Sequence, residues 1–184
     1  LRVANPDLPL VLPTANVGFA RTRLGDDWPT FLSVDAGETV EAHGFSVTGI
    51  LAAHDEVKLD EQGRSHFLGF VAKFGPWTVY HSGDTRRHDQ LVSSLLIHSV
   101  DLALVPINGY KPERRVAGNL NGTEAATLTK EIGARLAIPH HFDMFAFNTE
   151  TPDEFEQAAK HLGQPVKVLS AGERWCSSGL PHNP

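Results

Sequence analysis

Four times along this chain a run of strand-forming residues ends in a polar side chain that can do chemistry. Residues 45–53 run into His54, and residues 77–81 into Ser82-Gly83-Asp84-Thr85. Residues 101–106 lead to Asn108-Gly109-Tyr110, and residues 135–139 to His140-His141-Phe142-Asp143. An open α/β sheet places its ligands outside the carboxyl ends of its strands. Imidazoles and a carboxylate delivered to one such rim suit a divalent ion such as Zn, Mn or Fe(II). Ten histidines in an acidic chain of 184 residues make that reading worth pursuing, since His is the commonest metal ligand.

The segments between these ends fit a layered α/β domain. A turn at Asn5-Pro6-Asp7 precedes a short strand at 8–12, and residues 14–24 read as a helix. Strands are expected at 30–34, 38–42 and 45–51, and residues 55–64 as a charged loop turning at Gly63. Residues 66–74 and 77–81 flank Gly75-Pro76, a hairpin signal. Residues 84–97 read as a helix with Leu91, Leu95 and Leu96 on one face. After the strand at 101–107, residues 123–133 form the clearest helix, with Thr123 as N-cap and Gly133 closing it. A strand at 135–139, a helix at 151–162 ended by Gly163, and a strand at 166–169 complete the pattern. The first half is β-rich and the second alternates helix and strand.

Composition narrows the functions. Sixteen basic against 22 acidic residues give a net charge of −6, which argues against a nucleic-acid partner. The apolar runs are far shorter than the ~20 residues of a membrane span. A single cysteine, Cys176, excludes an intrachain disulfide framework and fits a reducing, cytoplasmic compartment.

Each strand-end residue also has a structural reading. His54 alone could be a loop histidine, and residues 82–85 a turn with a helix cap. In a strand, adjacent side chains point to opposite faces, so only one of His140 and His141 faces a given site; spacing does not say which. His81 and His88 flank Asp84 without further context. Asn108 suits substrate orientation or a turn equally. Lys111, Arg114 and Arg115 are an anion site or a solvated loop. Phe142, Met144, Phe145 and Phe147 wall a pocket or, for most of them, anchor their loop in the core.

Five blocks, in order, carry a resemblance: AAH at 52–54, YHSGDT at 80–85, DLALVPINGY at 101–110, GNLNGTEAA at 118–126 and IPHHFDMFAFNT at 138–149. Together they resemble the metallo-β-lactamase-fold hydrolases, most of all the branch with L-ascorbate-6-phosphate lactonase and related metal-dependent hydrolases. N-acylphosphatidylethanolamine phospholipase D is more distantly similar. The resemblance implies an αββα sandwich of the α/β class. It implies His54, Asp84 and His141 as metal ligands, with Asp84 able to bridge two ions, and one or two divalent ions, Zn or Mn, as cofactor. By their place in post-strand loops Asn108, Tyr110 and Asn119 are candidate substrate contacts, with Arg115 from the basic cluster. The implied reaction is attack of metal-activated water on a small, anionic ester or lactone. The alternatives are a phosphodiesterase and a non-catalytic binding member of the fold. No H-x-H pair occurs in this chain, so the HxHxDH motif of that family is expected upstream. Residues 1–184 are accordingly expected to be the C-terminal part of one domain. A small-molecule substrate is the expected partner, with no membrane, and self-association stays open.

Overall fold

The computed structural model describes residues 3–25, 28 and 30–181. Among them, six strands form one mixed sheet in the order β3 (Thr39–Ala42), β4 (Phe45–Leu51), β5 (Leu68–Phe74), β6 (Trp77–His81), β7 (Leu102–Pro106), β8 (Leu136–His140). Two more, β1 (Leu10–Pro13) and β2 (Phe31–Val34), pair in parallel as a separate sheet. Helices α1 (Val17–Leu24), α2 (Leu91–Leu95), α3 (Gly122–Glu131) and α4 (Asp153–Leu162) accompany the strands, giving the layered α/β architecture.

Strand direction decides where the chemistry goes. β4 and β5 are antiparallel, as are β5 and β6 across the Gly75-Pro76 turn. β6, β7 and β8 are parallel. Hence β4, β6, β7 and β8 all run the same way. The register sets Leu51 opposite Leu68, Phe70 opposite His81, His81 opposite Leu104 and Pro106 opposite His140. The four strand ends noted in the sequence therefore emerge at one edge of one sheet.

The core explains why the sheet holds. Val71, Tyr80, Ala103 and Ala137 lie in one row across β5 to β8, and all are fully buried. Two alanines in that row leave room for α3, which packs on β7 and β8. α3 and α4 approach so closely that a Cβ on Gly122 would stand 2.6 Å from the backbone nitrogen of Phe155. Phe155 and Ala159 are buried from α4, burial worth roughly 1.5–3 kcal/mol for a large apolar side chain such as Phe155.

Three local expectations are corrected. The helix read at 84–97 is only α2 with a 3-10 turn at Leu96–His98. Residues 84–90 leave the helix because Thr85 and Arg86 are bonded to Ala53 instead. The N-cap of α3 is Asn121 rather than Thr123. Its side chain accepts from Glu124 N, and the Glu124 carboxylate accepts from Asn121 N. The strand at 166–169 is a single bridge, Ala137 to Val166. At the end of α4, Gly163 takes the left-handed conformation that closes a helix without a Cβ penalty.

Candidate metal centre

Thr85 is the knot of the rim. Fully buried, its hydroxyl accepts from Ala53 N (2.9 Å) and donates to Arg86 O (2.9 Å). Arg86 N donates to Ala53 O at 2.8 Å, and Leu120 N to Thr85 O at 2.8 Å. The loops carrying His54, Asp84 and Asn119 are thus tied at one point. Gly83 turns the chain between His81 and Asp84 with φ +61°, a conformation costly for other residues.

Asp84 and His141 meet across this rim. Asp84 Oδ2 stands 3.8 Å from His141 Nε2, with the Asp84 side chain 44% exposed and that of His141 mostly covered. That separation is too long for a hydrogen bond. Two ligands about 2.0–2.1 Å from a tetrahedral ion lie roughly 3.4 Å apart, so the pair is a few tenths of an ångström wider than two corners of such a site. His141 reaches this position with φ +63°, in the left-handed region a β-carbon normally avoids. Residues held in such conformations concentrate at functional sites.

The neighbouring imidazoles are unusual in a second way. His54 Nδ1, His140 Nε2 and His141 Nδ1 are buried without a hydrogen-bond partner. Leaving buried polar atoms unpaired is costly, about 1–3 kcal/mol each. Two imidazoles and a carboxylate are the right donor types for a divalent ion, and the Asp84–His141 spacing is close to a ligand pair. His54 is joined to them through the Ala53–Thr85 tie rather than by direct contact. Among the described residues, no three His, Cys, Asp or Glu side chains converge on one point. The residues present therefore fit a metal in kind, with Asp84 and His141 as the pair that can share an ion.

His140 has a different role. Ending β8, it stacks on His81 with ring centroids 4.8 Å apart. Burial, with His81 and His141 beside it, pushes its pKa down to about 3, so it is neutral. His81 accepts from Gly83 N through Nδ1 at 3.0 Å; burial lowers its pKa against the opposing charge of Asp84. His88 contacts Leu51 O through Nε2 and is likewise shifted down by burial.

The candidate substrate contacts divide. Asn108 and Asn119 are buried, and Asn119 Nδ2 donates to Asn108 Oδ1 at 2.9 Å. Asn108 Nδ2 donates in turn to Asn148 Oδ1. These amides hold the loops after β7 and β8 together. Tyr110 and Arg115 are exposed on the rim. Of the basic cluster, Lys111 and Arg114 both pair with Glu150, and Arg114 also donates to Asn108 O and Thr149 O. Lys111 and Arg114 are engaged internally, which the sequence did not reveal because Glu150 lies 36 residues beyond Arg114. The expectation that most of the aromatic loop anchors in the core is also corrected. Phe142 packs on the core, but Met144, Phe145 and Phe147 are 68%, 51% and 61% exposed. The Phe145 ring lies 6.5 Å from that of His141 and 6.2 Å from that of Phe147, so these side chains form a shelf beside the centre.

Comparison with known proteins identifies the family and the fold. Residues 13–142 match the model of the Beta-lactamase superfamily domain. A UPF0173 metal-dependent hydrolase of Rubrobacter xylanophilus is 32% identical over 149 residues, covering 77% of this chain and 59% of that protein. One from Agrobacterium fabrum is 30% identical over 177 residues, covering 93% and 68%. The chain thus spans about three fifths of the length of the Rubrobacter relative, and 60% and 62% of that of similar UPF0173 metal-dependent hydrolases from Methanosarcina mazei and Archaeoglobus fulgidus. Among solved structures, the metallo hydrolase Igni18 of Ignicoccus hospitalis superposes with a TM-score of 0.68 at 21% identity, over 89% of this chain and 66% of that one. The metallo-beta-lactamase fold protein YhfI of Bacillus subtilis gives 0.66 at 21%, over 91% and 64%. With the sheet order, the shared rim and these matches together, the chain belongs to the beta-lactamase superfamily and has its metallo-β-lactamase αββα fold.

Proposed function

We propose that the protein is a metal-dependent hydrolase of a small, anionic ester or lactone, and that Asp84, His141 and His54 are among its ligands to a divalent ion, Zn or Mn. The observation that carries this reading is the Asp84–His141 pair, 3.8 Å apart through His141 Nε2, at a rim where His54 Nδ1 is buried and unpaired. A divalent ion held there would polarise the substrate carbonyl or phosphoryl oxygen and make water a competent nucleophile near neutral pH. The chain's own residues do the rest. Asp84 would help hold the ion and would supply negative charge to balance it. His141 approaches Asp84 through Nε2. Thr85 and the Asn119–Asn108–Asn148 ladder keep the loops in register. Tyr110 and Arg115 are exposed and are the remaining candidates for contact with substrate.

A second reading is favoured by one observation. The shelf of Met144, Phe145 and Phe147 beside His141 is apolar and exposed, which suits a phosphodiester bearing an apolar group. The test is calorimetric titration of the full chain with Zn²⁺ and Mn²⁺, beside a panel of lactones, esters and bis(4-nitrophenyl) phosphate. Asp84→Asn and His141→Leu should each weaken metal binding by at least roughly tenfold, beyond what loss of a supporting partner typically costs. His140→Leu should leave it within about threefold. Unchanged affinity in Asp84→Asn, or a larger loss in His140→Leu than in His141→Leu, would show that the ligands are misassigned. Turnover of the phosphodiester alone would decide for the second reading.

A further inference from the structure

An anionic substrate approaching a chain of net charge −6 needs a local cation whose charge is not already neutralised. Within the dense basic cluster, Glu150 takes both Lys111 and Arg114. Arg87 is bound to Glu131 at 2.6 Å. Arg86 is different. Its guanidinium carbon lies over the Tyr110 ring, 5.2 Å from the centroid. Among the described residues that guanidinium has no carboxylate or hydrogen-bond partner, and the residue is exposed.

The seat under Arg86 is built from the rim itself. Tyr110 packs against Gly118 so closely that a Cβ there would be 2.7 Å from Tyr110 Cβ and 2.8 Å from its Cδ2. Gly118 N donates to Asp55 Oδ1 at 2.7 Å, and Asp55 follows His54. On the other side, Arg86 N is bonded to Ala53 O, and Asp84 is two residues back. Arg86 is therefore tied by backbone between the His54 and Asp84 loops, and its head group is oriented by an aromatic face. A guanidinium resting on a ring keeps its charge, and its N–H groups remain free at the edge to grip an oxyanion with two bonds. Arg115, the cation expected from the sequence, takes φ +54° and shows no such seat.

We propose that Arg86, held over Tyr110, binds the carboxylate or phosphate of the substrate whose scissile bond is presented to Asp84 and His141. This deepens the proposed function and rests on it for the reaction, but binding of the anion can be measured without turnover. Inorganic phosphate and, separately, acetate are titrated into the metal-free full chain at low ionic strength, with binding read by calorimetry. Phosphate binding by the wild type is expected, and Arg86→Met should weaken it at least about tenfold. Arg86→Lys should recover part of the loss, because it keeps the charge but not the fork. Tyr110→Leu should weaken binding by roughly threefold through loss of the seat. Arg87→Met should change nothing, since its charge already serves Glu131. Circular dichroism and the thermal midpoint check that each variant is folded. Stronger binding of phosphate than acetate assigns the site to phosphate, and the reverse to carboxylate. The proposal is overturned if the wild type binds neither anion, if Arg86→Met binds as well as wild type, or if Arg115→Met and not Arg86→Met abolishes binding. Asp84→Asn separates the two proposals: it should lose metal and keep the anion, so failure of one leaves the other standing.

Discussion

Replacing Thr85 with Val keeps the shape of a fully buried side chain and deletes one hydroxyl. That hydroxyl accepts from Ala53 N and donates to Arg86 O, each at 2.9 Å. The Ala53 N–H would be left buried and unpaired, costing about 1–3 kcal/mol. Arg86 O is only partly buried, and losing its bond costs roughly 0.5–1.5 kcal/mol. Thr85→Val should therefore destabilise by about 2–4 kcal/mol. For a domain of this size that is a fall in thermal midpoint of roughly 5–15 °C. Thr85→Ser keeps both bonds and loses one buried methyl, worth about 1 kcal/mol. Urea unfolding of the three proteins gives the stabilities, and Zn²⁺ titration of the folded proteins gives the functional consequence. The hydroxyl spaces the His54 loop against the Asp84 loop, so Thr85→Val should also weaken metal binding while Thr85→Ser should not. If Thr85→Val costs no more than Thr85→Ser, the hydroxyl is not the knot of the rim and the argument for its positioning role fails.

Other expectations are as direct. Asn121→Ala removes the capping box of α3 and should cost about 1 kcal/mol, seen as a drop of roughly 2–4 °C in midpoint. Gly122→Ala drives a Cβ to within 2.6 Å of Phe155 N, so α3 and α4 must separate; a loss of about 1–3 kcal/mol in urea unfolding is expected. Lys111's ammonium, then Arg114, hold the Glu150 carboxyl below its usual pKa despite partial burial. A depressed carboxylate contributes stability that is full above the unfolded value, 4.5, and lost as pH falls below it. Wild type should thus lose more stability than Glu150→Gln between neutral pH and about pH 3, as measured by chemical unfolding across that range.

What the sequence determined was local. Gly75-Pro76 between two β-rich runs specified the β5–β6 hairpin, and Gly163 specified the end of α4, because a turn and a helix stop depend on the backbone freedom of one or two residues. The apolar runs ending in His54, Asp84, Asn108 and His140-His141 announced a shared rim, because parallel strands bring their carboxyl ends to one edge. Residues 84–90 read as helix because nothing nearby in sequence shows that Ala53 will take their hydrogen bonds. The choice between His140 and His141 was not settled by strand alternation either. β8 ends at His140, and a left-handed φ at His141 turns its ring toward Asp84. Lys111 and Arg114 read as an anion site or a solvated loop, and Glu150 closes on both; nothing near Arg86 in the sequence shows that Tyr110 will lie beneath its guanidinium. Each of these outcomes rests on a partner far along the chain. Only tertiary packing decides which charge is neutralised, which ring is covered and which side chain is left to meet a ligand.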